Sequence, residues 1–231
     1  MKKYGFMLSF GVVIVIIAII GCSPANRKKS VSIREESVLS LAPGSGDAYL
    51  FDVKINQDGR KRSTRLDVYY RPDTLAIFAR AYLGKGVMKV VLAGDTGQVY
   101  FPTENEYYNG PLFDLLVDEC YKSMRFERIL YNLFSRLPVE IDDDSVGYYV
   151  VVLKESKDLC HYRLESRICD KFLEIEYDFE KGRYVPNAIE YSNDNGTLKL
   201  SAKRRSISLN IKIPSEKMSI SIPPDAIRIQ P

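Results

Sequence analysis

The sequence predicts a mainly β fold of the α+β kind, one large and strongly curved antiparallel sheet with helices packed on its apolar concave face. Three observations predict it. Apolar and polar residues alternate with a period of two through most of the chain, and tight-turn residues separate the alternating runs. The aromatic residues are 16 Tyr and 10 Phe with no Trp, a supply suited to strands. Helical spacing is confined to a short N-terminal stretch and a central segment, so a run of strands lies on either side of the centre.

The chain opens with Met1-Lys2-Lys3, and an apolar run follows over residues 10–20, interrupted only by Gly11. It ends in Gly21-Cys22, which completes the layout of a secretory signal: a positive end, a short apolar core and a small residue before the cut. Residues 4–21 carry no charge, so an uncleaved membrane-spanning anchor is the competing reading. The small Gly21 followed at once by a thiol favours cleavage and lipidation of Cys22. Residues 1–21 are then a signal peptide, residues 22–31 a polar tether, and residues 32–231 a single domain. By analogy with enteric sorting, Ser23 directs such a protein to the outer membrane, facing the periplasm. The basic run Arg27-Lys28-Lys29 is either solvated or close to anionic headgroups.

Ser32 and Glu35 have capping-box spacing, and Val38 and Leu41 continue an apolar stripe, which predicts a first helix over residues 32–41. From there the period becomes two. Phe51, Val53 and Ile55 alternate with Asp52 and Lys54, Gln57-Asp58-Gly59 turns the chain, and Leu66, Val68 and Tyr70 form the returning face. The runs 75–82 and 87–93 are apolar on both faces, so each side of those strands needs a cover: helices, a second layer or a ligand. Helical spacing takes over at 112–117 and 124–137, where Phe126, Ile129, Leu130, Leu133, Phe134 and Leu137 share one face, and Pro138 stops it. Strands then resume. Leu173, Ile175, Tyr177 and Phe179 alternate with Glu174, Glu176, Asp178 and Glu180, and Leu198, Leu200 and Ala202 with Lys199, Ser201 and Lys203. Leu209, Ile211 and Ile213 continue the pattern, as do Ile220 and Ile222 before Pro223-Pro224.

Loss of Lys2 and Lys3 with the signal peptide leaves 31 basic residues against 30 acidic ones, a balance that argues against nucleic acid. Three cysteines remain besides Cys22, namely Cys120, Cys160 and Cys169; an exported protein can oxidise them, and the sequence leaves their pairing open. With His161 as the only histidine and no Cys-x-x-Cys, zinc is not expected, nor is any cofactor. No nucleophile elbow accompanies His161, Gly84-Lys85-Gly86 lacks phosphate-loop spacing, and Asp142-Asp143-Asp144 lacks the spacing of a calcium loop. Glu104 and Glu106 beside Tyr107-Tyr108 pair two carboxylates but need a cleft to matter. An enzyme is therefore not expected.

Taken together, several stretches resemble the LolA/LolB-like lipoprotein-carrier superfamily. They are the lipobox at Cys22, the strand-and-turn run from Arg65 through Arg71-Pro72-Asp73-Thr74-Leu75, the helical insertion after Asn109-Gly110-Pro111, and the ending Ile220-Ser221-Ile222-Pro223-Pro224-Asp225-Ala226. The resemblance implies an incomplete β-barrel closed by helices around an apolar cavity that holds acyl chains. The side chains expected to line it are Phe51, Leu66, Val68, Tyr70, Ile77, Phe126, Ile129, Leu130, Leu133, Ile175 and Tyr177. Leu83, beside Gly84-Lys85-Gly86, would be the exposed apolar loop residue that touches a membrane. The expected partners are lipid or an acylated lipoprotein, and the membrane through lipidated Cys22. The alternative is a filled concave face in a structural envelope lipoprotein that docks onto a partner protein. Replacing Cys22 with Ala is expected to abolish palmitate labelling and move the protein into the soluble periplasmic fraction; retention in the membrane pellet would contradict lipidation.

Overall fold

The structure, a computed structural model, describes residues 44–81, 84–94, 96–111, 114, 126–135, 137–138, 147–169, 171–192 and 198–230, with the backbone alone at 126–128. Cys22 and the tether, the helix expected over 32–41, Leu83, the run 115–117, Cys120 and the turns at 142–144 and 193–196 lie outside the described residues, as does the side chain of Phe126.

Six strands form a first meander: β1 (Ser45–Gln57), β2 (Arg60–Arg71), β3 (Thr74–Arg80), β4 (Gly86–Ala93), β5 (Thr96–Phe101) and β6 (Glu106–Pro111). A helix, α1 (Phe126–Ser135), precedes a second meander of β7 (Tyr148–Glu155), β8 (Leu159–Ser166), β9 (Phe172–Glu180), β10 (Arg183–Ser192) and β11 (Leu198–Lys212). A short strand, β12 (Ile227–Arg228), ends the chain. Together they make one open 12-stranded sheet in the order β12-β6-β5-β4-β3-β2-β1-β11-β10-β9-β8-β7. All pairings are antiparallel except that of β12 with β6. The sheet is thus the large curved one expected from the alternation, and its open form agrees with the incomplete barrel that the resemblance implies, with β7 at one edge and β12 at the other.

Local chemistry sets the tight hairpins. Between β1 and β2 the two turn residues Asp58 (φ 50°) and Gly59 (φ 77°) are both left-handed, as are Lys181 (φ 50°) and Gly182 (φ 89°) between β9 and β10. Turns of that hand match the right-handed twist of the strands they join. The two meanders meet where β1 pairs with β11, from Ser45↔Lys212 to Gln57↔Leu198. This ladder shifts register between Gly46 and Ala48 and again between Leu50 and Phe51, and such bulges bend and twist a strand.

Register puts Tyr49, Phe51, Val53 and Ile55 of β1, Leu66, Val68 and Tyr70 of β2, and Leu75, Ile77 and Ala79 of β3 on one side. Leu173, Ile175 and Tyr177 continue this concave, buried face in β9. On the opposite face Ala76, Val91 and Tyr100 are also buried. The second cover that the sequence requires is the chain's own C-terminal segment. Ile213 is buried, and its carbonyl accepts a hydrogen bond from the Arg71 guanidinium. Further along, the Lys217 ammonium lies 5.9 Å from the centre of the outward Tyr69 ring. The strap ends against β6, where the Asn105 amide donates to the Asp225 carboxylate (2.9 Å) and Tyr100 donates to Asn105 Oδ1 (3.1 Å). Ile220 and Ile222 keep their period of two, half-buried beside exposed Ser219 and Ser221, but belong to no strand.

The start of the strap is crowded against β1. A Cβ added at Gly46 would meet the Tyr70 carbonyl oxygen at 2.2 Å and Ile213 Cδ1 at 2.6 Å. Backbone on one side and a buried isoleucine on the other leave no room to relax. Gly46→Ala is expected to destabilise the protein by about 2 kcal/mol or more, at the upper end of overpacking costs, in urea or thermal unfolding. An unchanged midpoint would show that the strap does not pack there.

Candidate functional site

Helix α1 is amphipathic. Ile129, Leu130, Leu133 and Phe134 are buried on one side and Ser135 is exposed. The buried side faces the concave surface of the sheet. Phe134 lies with its ring centre 5.0 Å from Tyr49 and 6.4 Å from Phe51. At the middle of the helix the Tyr131 hydroxyl donates to the carbonyl oxygens of Arg71 (3.1 Å) and Pro72, which ties α1 to the β2–β3 turn. The ring of Tyr131 meets that of Tyr70 edge-on at 5.5 Å.

Between helix and sheet lies a void of about 60 Å³. Its thirteen lining residues are Phe51, Val53, Leu66, Val68, Ile77, Ile129, Leu130, Leu133, Phe134, Leu173, Ile189, Leu200 and Ala202. None has a polar side-chain atom. Seven of the expected residues therefore meet around one space: Phe51, Leu66, Val68, Ile77, Ile129, Leu130 and Leu133. Tyr70 is buried beside the void against Tyr131, outside its lining. Ile175 and Tyr177 are buried elsewhere on the concave face, where Tyr177 packs 6.1 Å from Tyr162. Val53, Phe134, Leu173, Ile189, Leu200 and Ala202 were not among the expected lining residues. Period-two alternation marks most of them as inward, but it does not say that β11 lies beside β1.

One end of this apolar space is polar. Asp47 is wholly buried, with Oδ1 accepting from the Asn210 amide (2.9 Å) and Oδ2 against the Arg183 guanidinium. Arg204, half-buried, donates to the Pro186 carbonyl (3.0 Å) and to Asp178 (3.0 Å), and pairs with Glu180. These charges answer one another, so among the described residues Arg183 and Arg204 leave no free cation at this end. Tyr49, whose ring touches the void-lining Phe51 and Phe134, has its hydroxyl buried with no hydrogen-bond partner. Burial, helped by the Asp47 carboxylate, pushes this phenol well above its ordinary pKa and keeps it a neutral donor.

The groups considered for chemistry lie apart from the void. His161 sits 3.3 Å from Glu174 on the opposite face of the sheet. Cys160 is a buried free thiol, whereas Cys169 is disulfide-bonded. Among the described residues no three His, Cys, Asp or Glu side chains are grouped to hold a metal ion. An unpartnered buried hydroxyl costs about 1–3 kcal/mol. Tyr49→Phe is therefore expected to raise stability by about 1 kcal/mol in denaturant unfolding, while a loss of stability would mean that the hydroxyl has a partner in solution.

The chain matches no protein-family model and no curated protein. Among solved structures it is similar to an uncharacterized conserved protein from Thermus thermophilus, at 9% identity over 80% of this chain and 90% of that one, with a TM-score of 0.49. A LolA superfamily protein from Nitrosomonas europaea is similar at 9% identity over 80% and 95%, with a TM-score of 0.42. The MucA/MucB complex structure from Pseudomonas aeruginosa is similar at 12% identity over 76% and 56%, with a TM-score of 0.40, so this chain spans little more than half of that one. At such identities the likeness is one of fold, and no ligand or partner is carried over from it.

Proposed function

We propose that this protein is a lipid-anchored bacterial envelope lipoprotein, a single domain over residues 32–231, that takes up lipid or lipoprotein acyl chains between α1 and the concave face of its sheet. The observation that carries the reading is the void beneath the helix, whose thirteen lining residues among those described are all apolar. Its volume of about 60 Å³ is that of a closed form. Ligand pockets span roughly 300–1,000 Å³, so uptake requires α1 to move outward.

The energies permit that movement. Exposing Ile129, Leu130, Leu133 and Phe134 would cost roughly 6–12 kcal/mol at about 1.5–3 kcal/mol per side chain. An acyl chain with about twelve methylenes returns roughly 10 kcal/mol at about 0.8 kcal/mol each. Apart from apolar contact, α1 is tied to the sheet by hydroxyl hydrogen bonds, of Tyr131 to the β2–β3 turn and of Ser135 to Tyr70, few enough to break on opening. Opening is then coupled to ligand, and the closed form is what remains without it.

A second reading, docking onto a partner protein, has its own observation. The edge strand β7 exposes Tyr149 (57%), Val152 (39%) and Leu153 (40%). Exposed apolar edges are where added strands pair.

The two are separated with soluble protein carrying Cys22→Ala and a dansylated undecanoic acid as probe. Saturable uptake is expected. Ala202→Val adds two methyl groups to the void and is expected to stabilise the closed form by about 1 kcal/mol, which weakens the probe about fivefold. Absence of uptake by the parent protein would remove the cavity reading, and capture of a stoichiometric partner lost on Val152→Lys would then establish the second. Uptake indifferent to Ala202→Val, with stability raised, would place the ligand elsewhere.

A further inference from the structure

The face of the sheet opposite α1 carries a larger concavity, a groove of about 760 Å³ across β2, β1, β11, β10 and β9. Its volume falls within the range of small-molecule sites. The register explains the chemistry of one side. Asn56 of β1 is flanked directly by Lys61 of β2 and Lys199 of β11, and Lys54 points to the same face two residues along. Direct neighbours across a sheet stand about 5 Å apart, so three ammonium groups on flexible stems reach one point above Asn56. Arg62 also borders the groove, and Ser63 and Ser201 flank Lys54 with hydroxyls.

Among the described residues these cations have no carboxylate partner, which is equally true of other lysines such as Lys154 and Lys212; what sets them apart is their gathering on neighbouring strands around Asn56. Elsewhere on the sheet Arg65, Arg80, Arg163, Arg183, Arg204 and Arg205 each face a carboxylate. Lys54, Lys61, Arg62 and Lys199 face none among the described residues, although two carboxylates line the same groove. One of these, Glu174, is taken by Arg163 and His161; Glu190 lies opposite Ser201, on the strand beside Lys199 and two strands from Lys54, and forms an ion pair with neither. Like charges gathered on neighbouring strands oppose folding, so the cluster is not explained by stability. A multiply charged, compact oxyanion answers it, and lysines bind phosphate as point charges without demanding a planar geometry.

We propose that this groove binds a phosphate-bearing group, held by Lys54, Lys61 and Lys199 around Asn56. The site is independent of the cavity beneath α1 and lies on the other face of the same strands. The phosphate belongs either to a soluble phosphate ester or to a lipid headgroup, and both offer the same oxygens.

The test uses Cys22→Ala protein with Lys54→Gln, Lys61→Gln and Lys199→Gln combined, beside a charge-matched control combining Lys85→Gln, Lys154→Gln and Lys212→Gln. Inorganic phosphate and glycerol phosphate are titrated by NMR, and vesicles of phosphatidylglycerol or phosphatidylcholine are sedimented at fixed salt. The parent and control proteins are expected to bind phosphate saturably, and the groove variant at least tenfold more weakly with no fall in its unfolding midpoint. Loss of phosphatidylglycerol binding in the groove variant alone assigns the headgroup as source; phosphate binding without vesicle binding assigns a soluble ester. No saturable phosphate binding with equal vesicle binding by all three proteins, or an equal loss in the control, would overturn the proposal.

Discussion

Two meanders, each built from neighbours in sequence, become one sheet only because β1 pairs with β11 along its whole length. The partners are some 140 to 170 residues apart, from Gln57↔Leu198 to Ser45↔Lys212. Closing such a loop costs chain entropy that local hairpins do not pay. The return comes from both faces of the seam. On the concave side it sets Val53 against Ala202 and Ile55 against Leu200. On the other it brings Lys54 beside Ser201 and Lys199 beside Asn56. The floor of the cavity and the middle of the groove are therefore two sides of a single ladder.

The same seam explains where charge is buried. Its register shift near Gly46 lets the Asn210 amide reach Asp47 Oδ1, with Asn210 itself at a left-handed φ of 55°. A carboxylate without exposed surface needs compensation, and it comes from the Arg183 guanidinium of β10 against Oδ2 and the Asn210 backbone N–H of β11 at Oδ1. Arg204, just before the second shift, is drawn in beside Asp178 and Glu180 of β9. These pairs join strands that are not adjacent, so they contribute more to fixing the twist of the sheet than to its net stability.

How much of this was legible in the sequence depended on range. The β1–β2 hairpin announces itself through Phe51, Val53 and Ile55 on one face and Asp58-Gly59 at the turn. The helix was equally plain, since Ile129, Leu130, Leu133 and Phe134 share a face before Pro138. Seven of the residues expected around an apolar space do surround one, because the period of a strand fixes which side chains point inward. It does not fix which strands are neighbours. Leu200 and Ala202 join the lining through the β1–β11 pairing, and Ile175 and Tyr177, inward by the same rule, fall under a different part of the curve. The two-sided apolarity of β3 and β4 correctly demanded a second cover. Nothing local in the tail shows that it crosses outward from Ile213 to pair with β6, since that path is set by the end of β11 and by Asn105.

The cavity is where this protein gives up stability. A void of about 60 Å³ costs roughly 1.4 kcal/mol at the rate found for cavities in packed cores. The unpartnered Tyr49 hydroxyl, on a ring packed against two of the void's lining residues, adds about 1 kcal/mol or more. Neither defect is demanded by the strand itself, since positions 49 and 202 are ordinary inward positions of β1 and β11. On the proposed reading, defects placed side by side under the one helix of the described residues are what a core would keep if it must also open. They would narrow the gap between this form and one with α1 lifted, the gap that the proposed apolar ligand would bridge.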